Sequence, residues 1–141
     1  MITTPLLVLL LFACWTILIL FLTVGIYRWK HILTGRREIK EFRADNAEGL
    51  GWYSRGMRAH ANCIENLPVY GAIVLVLVVT GIGSPVIDIL SIVLIIARVI
   101  QSTVHVAFRL SNLTVSIRFG FYLIQMICMI WMIAIILIKT I

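Results

Sequence analysis

The sequence predicts an all-α integral membrane protein, a single bundle of four transmembrane helices running antiparallel, up and down. Three observations carry that reading. Of 141 residues, 62% are hydrophobic and only 13% charged, whereas a soluble domain of this size needs a charged exterior. The mean hydropathy is +1.08. Four stretches, 5–27, 57–80, 85–108 and 117–138, each reach the roughly 20 apolar residues that a spanning helix needs. What lies between them is too short for a soluble domain, so residues 1–141 form one membrane domain.

The first span, PLLVLLLFACWTILILFLTVGIY, has no basic residue before it. Its apolar run exceeds the roughly 7–15 residues of a signal-peptide core, so it reads as a retained helix. The positive charges follow it. Eight of the twelve Lys and Arg residues, and four of the six acids, lie between 28 and 58. The second connection, TGIGSP at 80–85, has no charge, and the third, RLSNLTVSIR at 109–118, has Arg at each end. The positive-inside rule then places the first and third connections in the cytoplasm and both termini on the non-cytoplasmic side. This topology accounts for the net charge of +6 without a nucleic-acid partner. The absence of a long tail or retention signal favours a bacterial inner membrane over the endoplasmic reticulum of a eukaryote.

Cys14, Cys63 and Cys128 form no CxxC pair and no metal-ligand spacing, so no metal site is expected. A four-span disulfide oxidase needs cysteine pairs in its outer loops, and none is present. Each cysteine reads as a small apolar residue inside a helix. A small multidrug transporter also has four spans, but depends on a carboxylate in the first, which has no charged residue here.

Polar residues inside spans are costly and usually face a bundle interior or a water-filled site. In the second span Arg55, Arg58, Asn62 and Glu65 fall on one helical face, as do Arg98, Gln101, His105 and Arg109 in the third. Arg118, Tyr122 and Gln125 do the same in the fourth. The second and fourth helices leave the cytoplasm and the third arrives there, so all three stripes occupy the cytoplasmic half. Glu65 lies about 10 Å above Arg58, and Arg98 about 16 Å above Arg109. Arg55, Arg109 and Arg118 can snorkel to headgroups. Glu65, Arg98 and Gln125 lie deeper, where an unpaired charge costs about 2.5–3.5 kcal/mol. An Arg98–Glu65 ion pair offsets that cost, and so does a ligand. Pro68, inside the second span, removes one helical hydrogen bond and is expected to bend or open the helix beside Glu65.

Arginines match carboxylates through paired hydrogen bonds, and a carboxylate matches an ammonium group. A small zwitterionic anion with two carboxylates and one amine fits this set. Glutathione is one such molecule, and the spacing alone does not separate it from others. An arginine or phenol near its sulfur favours the reactive thiolate.

The run RAHANCIENLP, residues 58–68, resembles the signature of the MAPEG family, the membrane-associated proteins in eicosanoid and glutathione metabolism. The family pattern R-x-x-x-N-x-x-E-x-x-P is met by Arg58, Asn62, Glu65 and Pro68, with Arg55 matching a further family arginine. Ile117-Arg118 and Tyr122 are similar to the prostaglandin E synthase branch. The chain is identified on these residues as a MAPEG member, of bacterial type. The resemblance implies a homotrimer with glutathione as co-substrate at subunit interfaces. It implies that Arg55, Arg58, Asn62, Glu65, Arg98, Gln101, His105 and Tyr122 hold glutathione, together with Arg36 or Arg37 after the first helix. It gives Arg118 the catalytic role of stabilising the thiolate. Membrane lipids and lipophilic small molecules are the other expected partners.

The sequence departs from the eicosanoid enzymes where Gln101 and His105 replace aromatic or imidazole side chains, where Phe119 replaces a serine, and where Ser54 replaces a glutamate. The function implied is a glutathione-dependent membrane transferase or peroxidase acting on lipophilic electrophiles or lipid hydroperoxides. The alternative is a non-catalytic lipid-binding or scaffold member of the same family.

Overall fold

A computed structural model describes residues 2–36, 38–42 and 51–140. It holds four helices long and apolar enough to span a membrane: α1, Thr4–Leu33; α2, Trp52–Thr80; α3, Pro85–Ala107; and α4, Asn112–Thr140. The described residues contain no strand. The chain is a multi-pass integral membrane protein with the expected four-helix architecture. The connections at 81–84 and 108–111 are only long enough to join antiparallel neighbours. The end of the bundle that carries the first and third connections is called the basic end below.

α1, α2 and α4 run further than their apolar windows at the basic end, while α3 stops at Ala107, one residue short of its window. Hydropathy registers contact with lipid, whereas helices continue until something stops them. At α4 the start is fixed by a reciprocal cap. Thr114 N donates to Ser111 Oγ at 3.2 Å, and Ser111 N donates to Thr114 Oγ1 at 2.9 Å, the two-way satisfaction of orphan donors that defines a capping box. The helix therefore begins at Asn112, five residues before the expected 117. Ser84 caps α3 by accepting from Ile87 N at 3.3 Å, and Pro85 occupies the first turn, where its missing N–H costs nothing. Gly81, at φ 67°, ends α2 in the left-handed region.

From Pro5 to Ile19 α1 is apolar on all sides, as a helix between lipid and protein must be. Its buried residues include Val8, Phe12, Thr16, Ile19 and Thr23, a stripe at steps of three and four. A π-helical turn at Leu20–Gly25 interrupts it. Thr23 Oγ1 donates back to Ile19 O at 2.6 Å there, a contact that competes with regular helix geometry. The turn resets the phase of α1, so that Tyr27 stacks on Tyr53 of α2 with ring centroids 4.1 Å apart.

α2 passes through Pro68 without ending. Its buried residues are Tyr53, Gly56, Ala59, Cys63, Asn66, Tyr70, Ile73, Val74 and Leu77. Tyr70 closes the bundle against α1, donating to Pro5 O at 3.1 Å. Cys63 and Cys128 are buried as expected, while Cys14, although inside α1, is exposed on the outer surface of the bundle.

Candidate functional site

The second-helix motif sits beside the packed face of α2. Arg55, Arg58, Asn62 and Glu65 each precede a buried residue, namely Gly56, Ala59, Cys63 and Asn66. One residue is about 100° of helical rotation, so the polar stripe forms a flank. Arg58 and Glu65 are exposed, and Arg55 and Asn62 are half-buried. Farther along the same flank, Val69, Ala72 and Val76 follow Glu65 at i+4, i+7 and i+11. With Ile133, Ile136 and Leu137 of α4 they line an apolar groove of about 540 Å³. Charge gives way to hydrocarbon along one line of the helix.

The third-helix stripe is turned the other way. Arg98 is 1% exposed and Gln101 3%, both on the face that packs inside the bundle. The guanidinium of Arg98 lies over the Phe12 ring, 5.2 Å from its centroid, and Nη1 donates to the Asn62 carbonyl at 3.4 Å. Nε and Nη2 have no hydrogen-bond partner among the described residues. No Arg98–Glu65 ion pair forms. The one salt bridge among the described residues joins Lys40 and Glu38 at 2.6 Å. The three polar stripes of the cytoplasmic half thus divide within one chain into an outward flank on α2 and an inward polar core between α3 and α4.

Neutral groups complete that core. Gln125 Nε2 donates to Gln101 Oε1 at 3.0 Å, and Gln101 Nε2 donates to the Arg118 carbonyl at 3.1 Å. Ser102 donates to the Arg98 carbonyl and accepts from Trp15 Nε1 at 2.8 Å. Asn66 Nδ2 donates to the Asn62 carbonyl at 2.9 Å. Sequence reasoning passed over Ser102, Asn66 and Trp15. Ser102 lies one turn beyond Arg98 and Asn66 one turn beyond Asn62, so the spacing was available. Nothing in the sequence tied Trp15 to either.

At the basic end the cations converge. Arg55 Nε donates to the Val106 carbonyl at 2.9 Å, one of the last-turn carbonyls of α3 that has no helical donor. Arg55 thereby neutralises the negative end of α3. His105 is half-buried, and the charges around it are Arg118, Arg58 and Arg55, contributed by α4 and α2. Arg118 and Tyr122 are half-buried one turn apart. Arg55 and Arg58 of α2, Arg118 of α4 and His105 of α3 thus lie toward the same end of the bundle, with no salt-bridge partner among the described residues. Such an arrangement attracts an anion.

Other expected positions fall outside this group. Arg36 is exposed in the turn after α1, and Arg37 lies outside the described residues. Arg109 is exposed in the third connection. His60, within the motif, faces α1 with Nδ1 3.1 Å from the Thr16 carbonyl and serves packing.

No curated protein and no solved structure matches the chain. The sequence model of the MAPEG family matches residues 5–138, a span that takes in all four helices and every group described above. The chain belongs to the MAPEG family.

Proposed function

We propose that this protein is a glutathione-dependent membrane transferase or peroxidase acting on lipophilic electrophiles or lipid hydroperoxides. The carrying observation is the exposed flank of α2. Arg58 and Glu65 stand on the outer surface of a spanning helix with no partner in the chain among the described residues. A charge facing lipid is costly, so the flank is completed by a polar ligand and by a second copy of the chain. The groove that continues from Glu65 suits an apolar neighbour. A homotrimer with three interfacial sites on the cytoplasmic side meets both needs.

In this reading Arg58, Asn62 and Glu65 hold the carboxylates and amine of glutathione. Arg55 adds positive potential, and His105 offers an imidazole whose Nδ1 has no hydrogen-bond partner among the described residues. Tyr122 lies one turn from Arg118, and the Arg118 guanidinium stabilises the thiolate. Arg98 acts from inside the bundle, holding the backbone of Asn62. In conjugation the thiolate sulfur bonds to the electrophilic carbon and the leaving group departs with its electron pair. In reduction, two glutathione molecules become one disulfide while the hydroperoxide becomes an alcohol and water. The protein supplies proximity and positive charge.

A glutathione titration of detergent-purified protein, followed by turnover of a chlorodinitrobenzene-type electrophile and of a lipid hydroperoxide, tests the reading. Binding with turnover of either substrate supports it, and absence of both reactions overturns it. A second reading, a non-catalytic lipid-binding member, is favoured by Phe119. That side chain, 59% exposed, follows Arg118 where the resemblance implies a serine, and removes a hydroxyl from the site. Calorimetry with fatty acids but without a glutathione signal supports that alternative.

A further inference from the structure

Gln101 and Gln125 are buried at 3% and 0% exposure. Gln125 Nε2 donates twice, to Phe121 O on its own helix at 2.8 Å and to Gln101 Oε1 on α3 at 3.0 Å. Gln101 Nε2 continues the chain to the carbonyl of Arg118 at 3.1 Å. Both ends of this ladder are backbone carbonyls, which only accept, so each amide must present its NH₂ to the carbonyl it touches. Turning either amide over sets oxygen against oxygen. The ladder therefore has one polarity and one register. A carbonyl has two lone pairs, so Arg118 O can accept from Gln101 and remain in the α4 helical ladder.

The bond from Gln101 ends on the backbone of the residue whose guanidinium holds the thiolate in the function proposed above. We propose that Gln101 is a positioning residue, which through its ladder with Gln125 sets the height and rotation of the Arg118 turn against α3. The proposal rests on the thiolate reading of Arg118. It places Gln101 behind the site rather than on the ligand, since its amide bonds within the ladder and its side chain is buried.

The test uses Gln101→Leu and the double variant Gln101→Leu/Gln125→Leu in the purified protein. Replacing both partners with apolar groups of similar shape is close to neutral for stability, so the double variant retains the fold. Glutathione affinity by calorimetry is expected to stay within about twofold of wild type, because the binding groups are untouched. The near-ultraviolet thiolate signal of bound glutathione and kcat are expected to fall about tenfold, the scale of one hydrogen bond. Hydrogen exchange in residues 117–123, measured without glutathione, is expected to rise in both variants. Unchanged kcat, thiolate signal and exchange overturn the inference. A fall in kcat matched by an equal loss of glutathione affinity also overturns it, because Gln101 then touches the ligand. If wild type itself shows no thiolate signal, the reading of Arg118 fails, and the exchange rates alone decide the positioning role.

Discussion

Gly56 of α2 lies directly on Thr23 of α1, where a methyl group added to the glycine meets both Cβ and Oγ1 of the threonine at less than contact distance. The crossing falls on the π-helical turn, and Thr23 is pinned there by its bond to the Ile19 carbonyl. The obstructing atoms are a β-carbon and its hydroxyl, not the end of a flexible chain, so neither can swing aside.

Gly56→Ala is accordingly expected to separate α1 from α2 at this point and to destabilise the bundle by about 1–3 kcal/mol. Thermal unfolding in detergent measures it. Thr23→Ala is expected to rescue only part of the loss, because the β-carbon remains. A wild-type melting temperature for Gly56→Ala rules out the close crossing.

Arg98 gives an unusual expectation for a buried charge. Removing one member of a buried ion pair leaves the other uncompensated, and that is where most of the cost arises. Arg98 has no carboxylate at salt-bridge distance and contacts chiefly the Phe12 ring and the Asn62 carbonyl. Arg98→Met fills a similar volume and leaves no orphaned charge. Stability should stay level or rise by about 1 kcal/mol. Glutathione affinity should fall severalfold as Asn62 loses its anchor. A loss of several kcal/mol on unfolding would show that an anionic partner had been missed.

Ser111 carries the start of α4. Ser111→Ala removes one half of the reciprocal cap, and such changes cost about 0.5–2 kcal/mol. The loss should be local, with faster hydrogen exchange in residues 112–116 and little change beyond Arg118. Uniformly faster exchange along α4 contradicts a local cap.

The spans, their antiparallel order and the motif of α2 were legible because each is a pattern of composition or of fixed spacing. The direction of each stripe was not. On α2 the polar and packed stripes repeat with the same period and differ only by one residue. Arg58 and Ala59 therefore fit equally well on an inward face until a neighbouring helix is in place. On α3 the stripe of Arg98 and Gln101 does face inward, because Phe12 and Gln125 approach from α1 and α4. The start of α4 was written in Ser111 and Thr114, but both are polar and precede the apolar window, which opens at 117. The π-helical turn carried no warning beyond a threonine and a glycine, since its phase shift is decided by packing on Gly56.

Glu65 and Arg118 separate binding from chemistry. Glu65 is exposed on the α2 flank, and its proposed task is to receive the ammonium group of glutathione in both ground and transition states. Glu65→Gln is therefore expected to weaken glutathione binding by about tenfold or more, the scale of a charged hydrogen bond, with kcat nearly unchanged. Arg118 is half-buried on α4, and its proposed task is to meet the sulfur only as the thiolate forms. Arg118→Gln should lower kcat by about 10²-fold while binding changes little. Calorimetry and steady-state turnover on the same preparations give both quantities. If Arg118→Gln loses affinity and keeps kcat, the guanidinium binds a carboxylate of glutathione and the thiolate is stabilised elsewhere.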